Sequence, residues 1–237
     1  MTVMATPTGF SVPARRARFR YGTVFLIVLI LLVFEIVAPN EDWARVVAVA
    51  LAGAALAVAL ATSQARASIR RLRALVAGAV AFLFVIGIGT GVFSQAVAFV
   101  VLGLLAAAIP VALVGGLLRL TEEQGVTPQA VAGALAIYLL VGLLFAYVVS
   151  FVAHVESGPY FTQAPGVSTG DRVYYSFTVL TTTGFGDYTA AKPVGHALAV
   201  IEMLTGQLYL VTVIGVLIGH YTGRRPTPTE QNRSGAS

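Results

Sequence analysis

The chain has no cysteine among its 237 residues, and Asp, Glu, Lys and Arg together make up only 11% of it. Without cysteine there can be no disulfide and no thiolate metal site, and the redox compartment goes unmarked. An ordinary soluble domain carries about 25% charged residues, so this chain holds too few to cover a water-facing surface. A nucleophile–base constellation and a metal-ligand cluster are also missing, which argues against an enzyme. What is abundant is apolar: 57% hydrophobic residues and a mean hydropathy of +0.86. The main solvent must be lipid. The net charge of +5 would suit nucleic acid as a partner, but its distribution has a better account.

Apolar runs of about 20 residues are long enough to cross a bilayer. They fall near Tyr21–Ala38, Trp43–Thr62, Leu75–Thr90, Gln95–Leu118, Gln129–Val155 and Pro193–Tyr221. The charge-free run Ala74–Leu118 is 45 residues, too long for one crossing, and the glycine-rich stretch Gly87–Gln95 predicts a tight hairpin within it. Six spans put both termini on one side. That side then holds twelve basic residues, among them Arg15, Arg16, Arg18, Arg20, Arg66, Arg70, Arg71, Arg73 and Arg119, against Arg45, Arg172 and Lys192 opposite. Basic residues favour the cytoplasmic side, so both termini are expected in the cytoplasm. An odd number of spans would destroy the asymmetry. The basic start could precede a cleavable signal, but Phe34–Pro39 is a poor cleavage site, and an uncleaved first span is expected. Fourteen Arg to one Lys points, by composition alone, to a GC-rich bacterial genome, and the membrane expected is the plasma membrane.

A shorter apolar stretch, Val173–Thr183, lies between the last two spans and cannot cross a bilayer. Non-helical backbone at membrane depth is tolerated only where protein or a water-filled cavity surrounds it, so a re-entrant loop is expected. It ends in Thr181-Thr182-Thr183-Gly184-Phe185-Gly186-Asp187. Consecutive carbonyls on one strand normally alternate in direction. Turning them all to one side needs residues in left-handed conformations, which glycine reaches without a Cβ penalty; Gly184 and Gly186 meet that need.

These residues, with their flanking spans, resemble the pore-loop potassium-channel family over roughly Gln129–Tyr221. Its filters are four T-V-G-Y-G loops whose carbonyls replace the hydration shell of K+; here Thr183 stands for Val and Phe185 for Tyr. The resemblance implies K+ ligands from the carbonyls of Thr182, Thr183, Gly184 and Phe185, plus the Thr182 hydroxyl, with Gly186 closing the filter. Asp171–Leu180 resembles the short pore helix, with Asp171 at its cap and its negative end towards the ion. Tyr174 and Tyr175 resemble the aromatic pair behind the filter, and Phe185 lacks the hydroxyl that often ties into that cuff. The Thr183 hydroxyl is expected to bond Thr178 or a water. Asp187 is expected to bond behind the filter, to Tyr175, rather than only to concentrate cations at the mouth. Glu202, an acid well inside a span, is a functional residue by default; a bond from a protonated carboxyl to the pore helix is preferred over an ionised group tuning conduction. Gly206 lies twenty residues beyond Gly186, at the family's hinge position. A gating hinge and a packing glycine are both open for it, while Gly215 and Gly219 read as packing positions. His154 and Glu156 read as solvated outer-loop residues rather than a pH sensor, and His196 and His220 carry no role.

The expected fold is therefore an all-α membrane protein of six transmembrane helices, with a re-entrant pore helix and selectivity filter between the fifth and sixth. Its parts are a cytoplasmic basic segment (1–20), a four-helix domain (21–120), a pore domain (121–222) and a disordered tail (223–237). The fourth span has no arginine before Arg119 at its end. Moving one charge across the membrane yields about 2.3 kcal/mol per 100 mV, so steep voltage gating is not expected. A large ligand-sensing domain after the pore is not expected. One loop per chain cannot enclose an ion, which predicts a C4 homotetramer, three identical subunits joining each chain in the bilayer. The function expected is passive K+ conduction, with no organic cofactor. The alternatives are a weakly selective monovalent cation channel, a secondary cation transporter, which would show internal repeats that are not found, and a non-conducting partner subunit.

Overall fold

Alanine and branched aliphatic residues leave these helices apolar on nearly every side, so caps and turns, more than amphipathic faces, set where each begins and ends. The computed structural model describes residues 21–62, 95–163 and 166–222. The basic segment 1–20, the expected third span Leu75–Thr90 with its hairpin, and the tail 223–237 lie outside the described residues. Within them the elements are α1 (Tyr21–Val37), α2 (Asp42–Thr62), α3 (Gln95–Gln124), α4 (Pro128–Val155), α5 (Thr169–Leu180) and α6 (Pro193–Thr222). No strand occurs among them; an isolated bridge pairs Phe161 with Ala190. Trp43–Ala61, Ala96–Glu122, Pro128–Val155 and Pro193–Val213 are each long and apolar enough to cross a membrane, and α1 is a shorter apolar helix.

α1 stops before Pro39, because a residue preceding proline is pushed out of the helical region. α3 runs six residues past its expected end at Leu118, through position 120, to Gln124. Polar residues there are still good helix formers, and the stop comes only at Gly125, whose φ of +72° suits the left-handed helix end. Pro110 sits inside α3 without ending it. Two residues after Gly125, Thr127 caps α4, its hydroxyl accepting from the Ala130 amide at 3.2 Å. Pro128 in the first turn gives up an amide that has no partner in any helix start.

Helices in lipid gain little from hydrophobicity against one another and associate through close packing and hydrogen bonds. α2 accordingly buries small residues, Ala44, Ala48, Ala52, Ala55 and Ala59, along one face against α3. α1 buries Tyr21, Val24, Val28, Leu31 and Glu35 and lies on both α4 and α5. One core joins α1 to α4 and reaches Val173 of α5. A second, around Tyr160, Phe161, Tyr175 and Val179, joins α5 to the loops on either side of it. α6 is the least covered: 17% of its apolar stretch is buried, against 50% of α4.

Candidate functional site

The short helix α5 is fastened at its start. Its cap is Ser168, three residues before the expected Asp171. The Ser168 hydroxyl accepts from the Asp171 amide at 3.1 Å, and the Asp171 carboxylate accepts from the Ser168 amide at 3.0 Å. This reciprocal box satisfies two amides that a helix start leaves free, and Asp171 is its third-position partner rather than the cap. Partial burial works to raise the Asp171 carboxyl, but the bonds from Ser168, with Tyr188 and Arg172 nearby, hold it below the ordinary carboxylate value. The neighbouring Thr169 amide donates to Asn40 Oδ1 in the α1–α2 turn at 3.0 Å. Gly170 lies so close to the Ile36 carbonyl of α1 that no Cβ would fit.

The far end of α5 shapes the loop. The Thr181 amide donates to Phe177 O (3.1 Å) and the Thr182 amide to Val179 O (2.9 Å). The Thr183 and Gly184 amides both donate to Thr178 O, at 2.9 and 3.1 Å. Gathering four successive amides over the helix end winds the chain sharply. The result is a left-handed residue at every second position: Thr182 (φ +57°), Gly184 (φ +51°) and Gly186 (φ +81°). Gly184 and Gly186 are where the sequence anticipates them. Thr182 is the sole non-glycine with positive φ among the described residues, and a β-branched residue there is a strained outlier. Residues 181–187 are all exposed on this chain.

Side chains behind the loop divide differently from expectation. Tyr174 lies parallel to Phe185, centroids 6.3 Å apart and planes 2° apart, and interacts with Asp187. Tyr175 turns instead to Phe161, edge to face at 4.9 Å, so Asp187 meets Tyr174 and not Tyr175. The Thr183 hydroxyl pairs with that of Thr181 at 2.9 Å, while the Thr178 hydroxyl donates to Tyr175 O; the expected Thr183–Thr178 hydroxyl bond is not formed. Thr178 supports the loop through its carbonyl.

Two glutamines went unnoticed in the sequence. Gln207 Nε2 donates to the Thr182 hydroxyl at 3.0 Å. Gln163 donates to Thr189 Oγ1 (2.8 Å) and Gly186 O (3.4 Å) and accepts the Thr189 amide, tying down the chain after the loop. An amide side chain directly after Gly206 in an otherwise apolar span was the available signal for the first; the second lies in a loop with no pattern to mark it.

Glu202 is fully buried and meets Ser176 Oγ, which also lies 2.8 Å from Gly142 O. One hydroxyl hydrogen cannot serve two acceptors. A neutral Glu202 donating its own proton to Ser176, with Ser176 donating to Gly142, accounts for both contacts, while Glu202 Oε2 is buried with no hydrogen-bond partner among the described residues. Gly206, one turn further on, lies against the Leu180 carbonyl with no room for a Cβ. Away from the loop, Lys192 pairs with Glu156 at 3.5 Å, His196 Nε2 lies 2.8 Å from Ala190 O, and His154 is exposed.

No curated protein matches the chain. Residues 133–222, from the second turn of α4 to the end of α6, match the model of a family described as ion channel. That segment holds α5, the loop and both flanking helices, and it belongs to the pore-loop ion-channel family.

Proposed function

We propose that the chain forms a K+-conducting pore as a homotetramer, with six spans, a re-entrant α5 and loop, and both termini in the cytoplasm of a cell whose plasma membrane it crosses. The carrying observation is the left-handed conformation at Thr182, Gly184 and Gly186. Left-handed residues at every second position turn successive carbonyls to the same side, which an ordinary strand cannot do. Carbonyls of Thr182, Thr183, Gly184 and Phe185 then stack as rungs, each supplying one corner of a cage around a dehydrated ion. The protein orients these dipoles before the ion arrives, through the four amide bonds onto α5. The ion gives up water for oxygens already in position.

The exposure of residues 181–187 supports assembly around an axis, since a lone loop offers one side of each cage. So does the uncovered face of α6, where Val200, Ile201, Leu204, Leu208 and Val211 are exposed. Tyr174, Asp187, Gln163 and Gln207 brace the loop from outside and below. Phe185, with no hydroxyl, rests on Tyr174 by ring contact alone, which favours weaker discrimination as the second reading.

The test is the reversal potential of the purified, reconstituted protein under opposed K+ and Na+ gradients. A value near the K+ equilibrium potential is expected. A value near zero supports the weakly selective channel, and flux at transporter turnover without unitary currents overturns conduction altogether.

A further inference from the structure

The segment before α5 and the segment after the loop come together as a short ribbon. Phe161 and Ala190 form an antiparallel bridge. Beside it the Thr162 amide donates to Thr189 O at 3.0 Å, and the Ala191 amide to Tyr160 O at 2.8 Å. Phe161 seats the ribbon, edge to face with Tyr175 of α5 at 4.9 Å and with Tyr188 at 5.5 Å. One residue further on, Lys192 reaches back to Ser157 O and to Glu156.

Gln163 stands at the loop end of this ribbon, and its amide fits only one way round. The Thr189 N–H can only donate, so the atom facing it at 2.9 Å must be Gln163 Oε1. Nε2 then lies on the other side, with one hydrogen for Thr189 Oγ1 at 2.8 Å and the second towards Gly186 O at 3.4 Å. Having accepted from Gln163, the Thr189 hydroxyl keeps its own hydrogen for Thr162 Oγ1 at 2.6 Å. The Thr162 hydroxyl in turn points at Thr189 O, at 3.5 Å. Each donor in the series has its own acceptor, and the series starts at Gln163.

Gly186 is the last left-handed residue of the loop, with a φ of +81°. The amide bonds onto α5, from Thr181 to Gly184, hold the inner end. Phe185 has no polar side-chain atom with which to hold the outer end. Gln163 supplies that end with a donor to a loop carbonyl.

We infer, on the basis of the K+ pore proposed above, that Gln163 is a positioning residue for conduction. Its amide clamps Thr189 and draws the Gly186 carbonyl away from the ion-facing stack. The stack therefore ends at Phe185 and keeps its shape when the outermost cage is empty. An ion in that cage supports the same shape from the other side, because a ligand that binds one form of a chain stabilises that form. Clamp and ion are interchangeable supports.

The test is hydrogen–deuterium exchange of the full-length protein in proteoliposomes, followed over residues 184–191 in Na+ and in K+. In Na+, Q163L should exchange there about tenfold faster than the parent, as expected for the loss of one or two hydrogen bonds, with α4 and α6 unchanged. K+ should bring the variant back towards the parent, a recovery that a purely structural residue would not show. Q163E keeps an acceptor for the Thr189 amide but has no N–H for Gly186 O. It should fall between the two, and it gives the answer if Q163L does not assemble. If K+ slows exchange in the parent but the variants match the parent in Na+, or exchange faster along the whole chain alike, the inference is overturned alone. If K+ slows exchange in neither protein, the K+ pore falls and this inference with it.

Discussion

Gly206 of α6 lies directly on the carbonyl of Leu180, the last residue of α5, with the Leu180 Cδ1 also 3.0 Å from where a Cβ would stand. Close packing is thus a sufficient reason for a glycine at the hinge-like position, although it costs about 1 kcal/mol in a helix interior.

Gly206→Ala should therefore lower the stability of the folded channel by about 1–3 kcal/mol, the usual cost of overpacking, despite alanine's better helix propensity. Thermal unfolding of the detergent-solubilised protein measures this. Unchanged stability with altered open probability would favour the hinge instead.

Gly184→Ala should abolish conduction while leaving membrane insertion intact. No atom of the chain stands within 4 Å of the added Cβ, so the obstacle is the φ of +51°. Left-handed backbone costs a residue with a Cβ roughly 1–2 kcal/mol, and in the proposed tetramer that cost falls four times on one pore. K+ flux into proteoliposomes, with membrane-fraction blots as control, gives the answer; robust flux would remove Gly184 from the pore.

Glu202→Gln should preserve stability and current, because a neutral amide can still donate to Ser176. Glu202→Ala should cost about 2–5 kcal/mol by leaving a cavity, the Ser176 hydroxyl keeping its bond to Gly142 O. Thermal unfolding of both variants separates a neutral carboxyl from an ionised one: an ionised Glu202 predicts that Gln is as damaging as Ala.

The capping box at the start of α5 should weaken in acid. Asp171 is held below its ordinary value when folded, so its contribution is complete above about pH 4, the unfolded carboxylate range, and is lost as pH falls through the folded value. Unfolding temperature followed from pH 6 downward should drop more steeply in the parent than in Asp171→Asn, whose profile should be flatter. Parallel profiles would deny the box a role.

Among the described residues, helix positions were legible in the chain itself, because in lipid an uninterrupted apolar run has almost no alternative to a helix, and Pro39, Gly125 and Pro128 punctuate those runs locally. Gly184 and Gly186 were legible for the same kind of reason: their backbone freedom is a property of the residue, not of its surroundings. Thr182 was not, since its left-handed φ is imposed on an unwilling β-branched residue by amides gathered over the end of α5. Ser168 as the cap was local too, since Ser-x-x-Asp is the spacing of a capping box, but tertiary structure alone decided that Tyr174 and not Tyr175 meets Phe185 and that Glu35 finds Tyr147, 112 positions away. Each of those outcomes depends on which side chains from separate elements are packed together, and for Glu35 on a polar partner within about 3 Å in a medium with no water to substitute. Sequence order does not encode that distance.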